Sequence, residues 1–293
     1  MTIPEPERSG HVAVSGGRIW YRMNGAERGG LPLLAIHGGP GFSHDYLLPL
    51  TDLADERPVI FYDQLDAGRS ERPGDPANWR IARFLAEIEA LRQALGLERL
   101  AVFGNSWGGT LAAEYAAGRP PGLAALVLSS PLISTKHWVE DAIAHRRALP
   151  AEVQAVLDRE EAAGTTDSQA YQDAVAQFNA RHVCRADPLP PYVLRSFEQA
   201  NMTCYVTMWG PSEFTVTGSL KTYDGAGSLG RIAVPTLFTC GEHDEATPAA
   251  CAHFAAMVPG ARLEVIADAS HMAFAERRAD YIAVVRRFLA AIG

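Results

Sequence analysis

The chain has 293 residues, of which 47% are hydrophobic, so it is long enough for one large domain or for a domain with a subdomain. Its 26 Lys and Arg against 34 Asp and Glu give a formal net charge of −8, without the basic cluster that nucleic-acid binding requires. No apolar run approaches the ~18 residues of a membrane-spanning helix, and the opening MTIPEPERSG has neither the basic nor the apolar region of a secretory signal. We therefore expect a cytoplasmic protein with no membrane or nucleic-acid partner.

The first half of the chain alternates predicted strands with predicted helices. A hairpin is expected over 11–24, where short alternating strands meet at Gly16-Gly17. Unbroken apolar runs predict strands buried on both faces of a sheet, at 31–36, 58–64, 100–104 and 123–128. Apolar residues at helical spacing predict helices at 81–95 and 107–117. This order predicts crossover connections and an α/β fold with a mostly parallel sheet covered on both faces.

The alternation stops after Pro131 and resumes at Pro235. Between them the spacing predicts amphipathic helices and no buried strand, with helices at 139–148, 152–163 and 171–182. Strand–loop units return at 235–244 and 262–271, and a last helix is expected at 280–292. We therefore predict one sheet domain, formed by 1–132 and 226–293, that carries a helical cap at 133–225. Two consecutive domains are the alternative, but they would leave the last two strands without a sheet to join.

A nucleophile motif separates the predicted strand at 100–104 from the helix at 107–117. Gly104-Asn105-Ser106-Trp107-Gly108 matches G-x-S-x-G, whose glycines permit a tight strand-to-helix turn that presents the serine hydroxyl. The pattern also arises by chance, but the strand before it and the helix after it make the match specific. We therefore predict Ser106 as the nucleophile.

A serine hydroxyl needs a base to take its proton, and the base needs an acid to orient it. In such a sheet the acid and then the histidine should follow later strands. Asp244 follows the predicted strand at 235–240, and His271 follows the predicted strand at 262–267, so they are the predicted acid and base. The rival candidates on the same loops or the next helix are Glu242, Glu245, Asp268, His243 and His253. We expect Asp268 to be a solvated loop residue, and the two rival histidines to be surface or structural residues.

The glycine-rich loop His37-Gly38-Gly39-Pro40-Gly41 follows the first buried strand. Backbone N–H groups stabilise the oxyanion of a tetrahedral intermediate without a charge that must be desolvated. We predict Trp107 N–H, directly after the nucleophile, as one donor and Gly39 N–H as the other. A plain tight turn is the alternative interpretation of this loop, and His37 is expected to be a structural hydrogen-bonding residue.

With these residues placed, the chain resembles the proline iminopeptidase family of α/β hydrolases, the serine aminopeptidases. The resemblance rests on HGGPG at 37–41, YDQ…GRS at 62–70, GNSWGG at 104–109, GPSEFTVTG at 210–218, GEHDEATP at 241–248 and SH at 270–271. It implies an α/β-hydrolase fold with an inserted helical cap. The chain departs from the family at Asp66 and Ala67, where members commonly have Gly and often Cys, which leaves the local turn geometry open.

The chain is most similar to the branch that contains the tricorn-interacting aminopeptidase and certain amino-acid amidases. That resemblance implies that Glu213 and Glu245 hold the free α-ammonium group of the substrate. Two carboxylates one residue's length from the nucleophile would bind this group through charge-assisted hydrogen bonds and reject N-acylated substrates. For a single glutamate the alternative is a solvated surface residue.

The sequence thus predicts a serine hydrolase that releases an N-terminal amino acid, proline or another small or apolar residue, from a small peptide or aminoacyl amide. The alternatives are an amidase or esterase acting on a non-peptide substrate such as an N-aminoacylated metabolite and, remotely, a non-catalytic binding module. No metal or cofactor is expected, because the four cysteines contain no C-x-x-C pair. The preferred first residue and the oligomeric state stay open, as does whether the cap aromatics line a pocket or a core. These are Trp138, Phe197, Tyr205 and Trp209.

Overall fold

Eight strands form one sheet in the structure, a computed structural model that describes residues 3–292. The strands are β1 (Arg8–Val14), β2 (Gly17–Asn24), β3 (Leu33–Ile36), β4 (Val59–Asp63), β5 (Leu100–Asn105), β6 (Leu123–Ser129), β7 (Thr236–Gly241) and β8 (Arg262–Ile266). Their order across the sheet is β1-β2-β4-β3-β5-β6-β7-β8. The β1–β2 and β2–β4 pairs are antiparallel and the other neighbours are parallel, which confirms the predicted mostly parallel sheet.

Helices cover the sheet and fill the segment between β6 and β7. They are α1 (Ile81–Ala94), α2 (Trp107–Ala117), α3 (Thr135–Arg147), α4 (Ala151–Ala163), α5 (Gln169–His182), α6 (Pro191–Glu198), α7 (Met202–Met208), α8 (Pro248–Ala255), α9 (Ala273–Glu276) and α10 (Arg278–Ala290). Short 3₁₀ helices lie at His44–Leu53, Pro76–Asn78 and Ala226–Arg231. Across residues 3–292, none of the helices combines the length and the apolar character needed to cross a bilayer.

The five central strands β3 to β7 form the core of the molecule. Every residue of β3, β4, β5 and β7 is buried, as is most of β6. Parallel strands covered on both faces expose neither side to water, which is why they read as unbroken apolar runs in the sequence. This core fixes the carboxyl edge of the sheet, where the loops after β3, β5, β7 and β8 meet.

Glycine at position 108 allows α2 to pack directly on the sheet. A Cβ added at Gly108 would lie 2.2 Å from the carbonyl oxygen of Ile36 in β3. Because this oxygen belongs to the backbone, no side-chain rotation can relieve the contact. We expect Gly108→Ala to lower the free energy of unfolding by about 3 kcal/mol, because overpacking a core forces backbone shifts. Urea unfolding followed by circular dichroism measures this. Gly29→Ala, where a Cβ meets nothing within 4 Å, is the matched control, and equal stability of the two variants would contradict the prediction.

The helices α3 to α7 lie in the predicted cap segment, 133–225, which contributes no strand to the sheet within the described residues. The two ends of the segment meet, because Ser134 and Asp224 form an antiparallel bridge. Thr135 N–H donates to Tyr223 O at 3.0 Å beside this bridge. Such a closed base is expected for an insertion, and the boundaries of the cap stay a prediction.

Candidate active site

Ser106 lies in the sharp turn between β5 and α2. Its φ of 56° and ψ of −122° are outside the regions that non-glycine residues normally occupy. The surrounding backbone holds the turn, since Ser106 N–H donates to Ser129 O at 3.0 Å and Leu132 N–H donates to Ser106 O at 3.1 Å. The side chain of Ser106 lines a cavity of about 270 Å³, which is called the main cavity below. A strained serine at this turn is the geometry of a nucleophile elbow.

Asp244 and His271 meet beyond the ends of β7 and β8. His271 Nδ1 donates to Asp244 Oδ1 at 2.9 Å, and both side chains are buried. The other oxygen of Asp244, Oδ2, accepts from Ser130 Oγ at 2.5 Å and from Gly241 N–H at 3.1 Å. These donors fix the carboxylate, and the carboxylate in turn fixes the orientation and tautomer of the imidazole.

The imidazole of His271 and the hydroxyl of Ser106 face one cavity, which both residues line. Among the described residues, the hydrogen bond of the His271 ring goes to Asp244. Trp138 packs edge-on against the ring at 5.7 Å between centroids, which limits its rotation. Contacts between a catalytic base and its nucleophile are often long until substrate binds. Ser106 and His271 therefore line the same cavity, with Asp244 bonded to the imidazole, and proton transfer along these three side chains stays a prediction.

The rival acids and bases lie elsewhere, with one exception. Glu242, Asp268 and His253 are exposed and His243 is partly exposed, and none of these four lines the main cavity. Asp268 pairs with Arg185 at 3.2 Å on the surface. Glu245 does line the cavity, where its carboxylate belongs to a second group of residues.

A small cavity of about 20 Å³ beside Ser106 is lined by both predicted oxyanion donors, Gly39 and Trp107. Gly39 has φ of +47°, a left-handed conformation that glycine adopts without strain. The amide of the preceding Gly38 is already engaged, because it donates to Tyr46 Oη at 2.5 Å. This geometry favours Gly39 over Gly38 as the residue whose N–H is available to an oxyanion.

Gln64, to which the sequence analysis assigned no role, joins the two segments that carry these donors. Its side-chain amide donates to His37 O at 2.9 Å, and its Oε1 accepts from Trp107 Nε1 at 2.9 Å. Its backbone N–H donates to His37 Nε2 at 3.0 Å. A polar residue directly after the buried strand β4 is the sequence signal that could have identified it.

His37 is buried and is predicted to make stability depend on pH. Burial lowers the pKa of its imidazole from 6.5 to about 4, and Nε2 cannot take a proton without losing the hydrogen bond from Gln64. The unfolded chain therefore binds this proton first as pH falls, so the contribution of His37 to stability is lost between pH 6.5 and 4.

We expect the stability advantage of the wild type over His37→Gln to shrink by about 2 kcal/mol from pH 7 to pH 5. Urea unfolding at the two pH values measures this difference. The exposed His11 gives the matched control, His11→Gln. A constant difference between wild type and His37→Gln would show that His37 does not titrate as expected.

Glu213 and Glu245 line the main cavity together with Ser106. Glu213 Oε1 accepts from Tyr205 Oη at 2.6 Å, whereas Glu245 is buried and its Oε2 has no hydrogen-bond partner within residues 3–292. Burial, and then repulsion from Glu213, raises the pKa of Glu245 well above its usual range. Burial also raises the pKa of Glu213. Such a pair is a site that a cation would stabilise.

The carboxyl end of α5 holds the acid and base loops in place. His182 O accepts from Glu245 N–H at 3.3 Å and from His271 N–H at 3.1 Å. The ring of His182 stacks on that of His145 at 3.9 Å between centroids, and His145 Nε2 lies 3.2 Å from Asp244 O. No sequence pattern identified these two histidines, because their role depends on how the cap docks.

The main cavity has a volume of about 270 Å³ and lies between the cap helices and the sheet edge. Of the cap aromatics, Phe197 and Tyr205 line this cavity. Trp138 and Trp209, again with Tyr205, line the small cavity beside Ser106 and are also buried. The sequence left open whether these aromatics line a pocket or form the core of the cap. Trp138 and Trp209 do both, because they line the small cavity and are buried within the cap.

Asp66 lies where the resemblance implies a glycine, and it adopts a conformation that favours glycine. Its φ is 69°, in the left-handed region. Its carboxylate accepts from Gly74 N–H at 2.7 Å and from Trp79 Nε1 at 2.8 Å. These two hydrogen bonds explain how a non-glycine residue is held there.

The family model described as the α/β hydrolase fold matches residues 32–277, which contain strands β3 to β8 and the whole site. The chain is therefore an α/β hydrolase. It is 40% identical over 284 residues to the proline iminopeptidase of Heyndrickxia coagulans, covering 97% of this chain and 99% of that relative. It belongs to the proline iminopeptidase family.

Two crystal structures are similar to this chain over almost their full length. That of the proline iminopeptidase of Mycobacterium smegmatis has a TM-score of 0.88 at 40% identity and covers 97% of this chain and 98% of that chain. That of VinJ has a TM-score of 0.96 at 38% identity and covers 99% of this chain and 100% of that chain. The predicted fold class is thus confirmed.

Proposed function

We propose that this protein is a serine hydrolase that releases an N-terminal residue, proline above all, from a small peptide or aminoacyl amide through an acyl-enzyme. The observation that carries the proposal is one cavity lined by a strained serine, an acid-oriented imidazole and two carboxylates that pair with no Lys or Arg among the described residues. The relatives named proline iminopeptidases support the same reaction.

In the proposed reaction Ser106 Oγ attacks the carbonyl carbon of the first residue while His271 Nε2 takes the hydroxyl proton. Asp244 holds the tautomer and stabilises the imidazolium that forms. The N–H groups of Gly39 and Trp107 bind the oxyanion. His271 then donates the proton to the leaving nitrogen as the C–N bond breaks, and water activated by the same imidazole hydrolyses the aminoacyl ester.

The carboxylates of Glu213 and Glu245 would bind the free α-ammonium group of the substrate. An ammonium group between them removes their mutual repulsion and supplies the hydrogen bonds that the unpartnered Glu245 Oε2 lacks. An N-acylated residue carries no charge there and leaves both carboxylates buried without a cation, which costs free energy. The proposed enzyme therefore acts at chain ends and not at internal bonds.

The small cavity supports a small apolar first residue. Its aromatic walls are Trp138, Tyr205 and Trp209, and it adjoins Ser106. A proline ring presents an apolar, rigid surface that such aromatic walls can cover. A long first side chain would have no room against these walls.

A panel of aminoacyl coumarylamides, each free and N-acetylated, tests this proposal. We expect the free prolyl compound to be cleaved fastest, its N-acetyl form to be inert, and Ser106→Ala to give the blank rate. A fluorophosphonate probe should label wild type and leave Ser106→Ala unlabelled. Equal cleavage of free and N-acetylated substrates, or labelling of the variant, would contradict the proposal.

A further inference from the structure

The main cavity contains no cationic residue other than the catalytic imidazole. Among the described residues that line it, the carboxylic acids and bases are Glu213, Glu245 and His271. The rest of the wall is apolar or carries neutral amides and hydroxyls, and its apolar members include Val183, Val193, Phe197, Met202 and Met272. A leaving group that occupies this space meets apolar carbon and no partner for a carboxylate.

The apolar wall continues out of the cavity onto the exposed faces of α6 and α7. Four large apolar side chains there are unusually accessible: Leu194 at 43%, Phe197 at 37%, Met202 at 50% and Val206 at 44%. Phe197 and Met202 belong both to this face and to the cavity lining. A cluster of this kind on a protein surface marks a binding site more often than chance exposure does.

An aromatic contact connects this face to the loop beside the nucleophile. Phe42, which follows the glycine-rich loop, packs edge-on against Phe197 at 5.6 Å between ring centroids. Phe42 N–H donates to Gly39 O at 2.8 Å. The apolar surface therefore begins beside the proposed oxyanion donor and continues through Phe197 to Leu194 on α6, where the exposed charged residues Arg195 and Glu198 flank it.

The cation on these two helices is already paired. Arg195 on α6 contacts Asp45 at 3.3 Å, and the same carboxylate accepts from Arg69 at 2.8 Å. A terminal carboxylate on the leaving group would have to compete with buried Asp45 for these arginines. It would also lie in a cavity that already contains two glutamates.

We propose that this surface, the apolar platform formed by Phe42, Leu194, Phe197, Met202 and Val206, receives an uncharged apolar amine leaving group several carbons long. The substrates are then aminoacyl amides of extended apolar amines, and dipeptides with a free carboxylate are poor substrates. This inference rests on the proposed function, because it names the leaving group of that reaction.

Prolyl amides that differ only in the leaving group test the inference. We expect kcat/KM for prolyl octylamide to exceed that for prolyl methylamide by about tenfold or more. The added carbons of the octyl chain are buried against the apolar platform instead of being exposed to water. We expect prolylglycine to be cleaved about tenfold or more slowly than prolylglycinamide, since only the former carries a carboxylate.

A double variant outside the cavity lining isolates the platform. Leu194→Ser with Val206→Ser should keep the wild-type rate on prolyl methylamide and lose most of the advantage of the octylamide. Met257→Ser with Val265→Ser is the matched control, because these residues are exposed to 37% and 43% and line none of the cavities described above. The control variant should keep both rates.

Three outcomes would overturn the inference. Equal kcat/KM for the octylamide and the methylamide would show that the platform does not bind the leaving group. The same conclusion would follow if the platform variant kept the wild-type ratio of kcat/KM for the octylamide to that for the methylamide. A wild-type dimer that the platform variant converts to monomer, measured by size-exclusion chromatography with light scattering, would assign the surface to a second copy of the chain. Failure of the proposed function is distinct, because then no prolyl amide would be cleaved at all.

Discussion

Asp244→Asn should lower kcat on a free prolyl amide by about 10⁴-fold. The Asp244 carboxylate accepts from His271 Nδ1, which leaves Nε2 unprotonated and able to take the Ser106 proton. An asparagine amide placed toward the ring donates to Nδ1 and moves the ring proton to Nε2, where it blocks that step. In the wild type, Gly241 N–H donates to the Asp244 carboxylate at 3.1 Å. The alternative orientation of the asparagine amide would place its NH₂ group against this N–H, so that two donors face each other.

Single-turnover kinetics on folded variants measures this effect. Asp268→Asn is the matched control, because Asp268 is the exposed rival acid three residues before His271, and its kcat should stay within about twofold of wild type, as is usual for a surface substitution. Circular dichroism should show that both variants are folded. A large loss in Asp268→Asn with little change in Asp244→Asn would reverse the assignment of the acid.

Glu245→Gln and Glu213→Gln should each lower kcat/KM on free-amine substrates by about 100-fold, mostly through a higher KM. Each glutamine removes one of the two charges that face the substrate ammonium, and truncating one partner of a buried charge pair typically costs several kcal/mol. Glu245→Gln is expected to have the larger effect, because Glu245 is the more buried of the two.

A simple ester without an amine separates anchoring from catalysis. Its hydrolysis should change little in either variant, since Ser106, His271 and Asp244 remain in place. Glu242→Gln, on the exposed side of the same loop as Glu245, is the matched control. If the ester lost as much activity as the prolyl amide, the two glutamates would not be amine anchors.

Most of the sheet could be predicted from the sequence because its signals are local. Buried parallel strands are apolar on both faces, so β3, β4, β5, β6 and β7 stand out as runs. The predicted helix at 107–117 coincides with α2. Helix α3 begins at Thr135, four residues before the prediction, because the bridge between Ser134 and Asp224 fixes its start. A helix after the acid loop was expected and is α8, whereas the short helices α6, α7 and α9 were not predicted, since so few turns show little periodicity.

The candidate nucleophile, acid and base could be identified because each lies in the turn or loop that follows a strand. The carboxyl ends of neighbouring parallel strands lie at one edge of a sheet, so the strand order already brings Ser106, Asp244 and His271 near one another. Their roles need no knowledge of packing beyond that. The chemistry expected of the chain was therefore a property of its sequence.

Tertiary structure alone decided which other residues join the site. Ser130 is 114 residues from Asp244 along the chain, and Gln64 is 43 residues from Trp107, yet each pair is in hydrogen-bond contact. The raised pKa of Glu245 exists only because the cap buries it beside Glu213. The type of each side chain and its position relative to a strand can be determined from the sequence. Burial and the distances between remote segments depend on how the cap packs over the edge of the sheet.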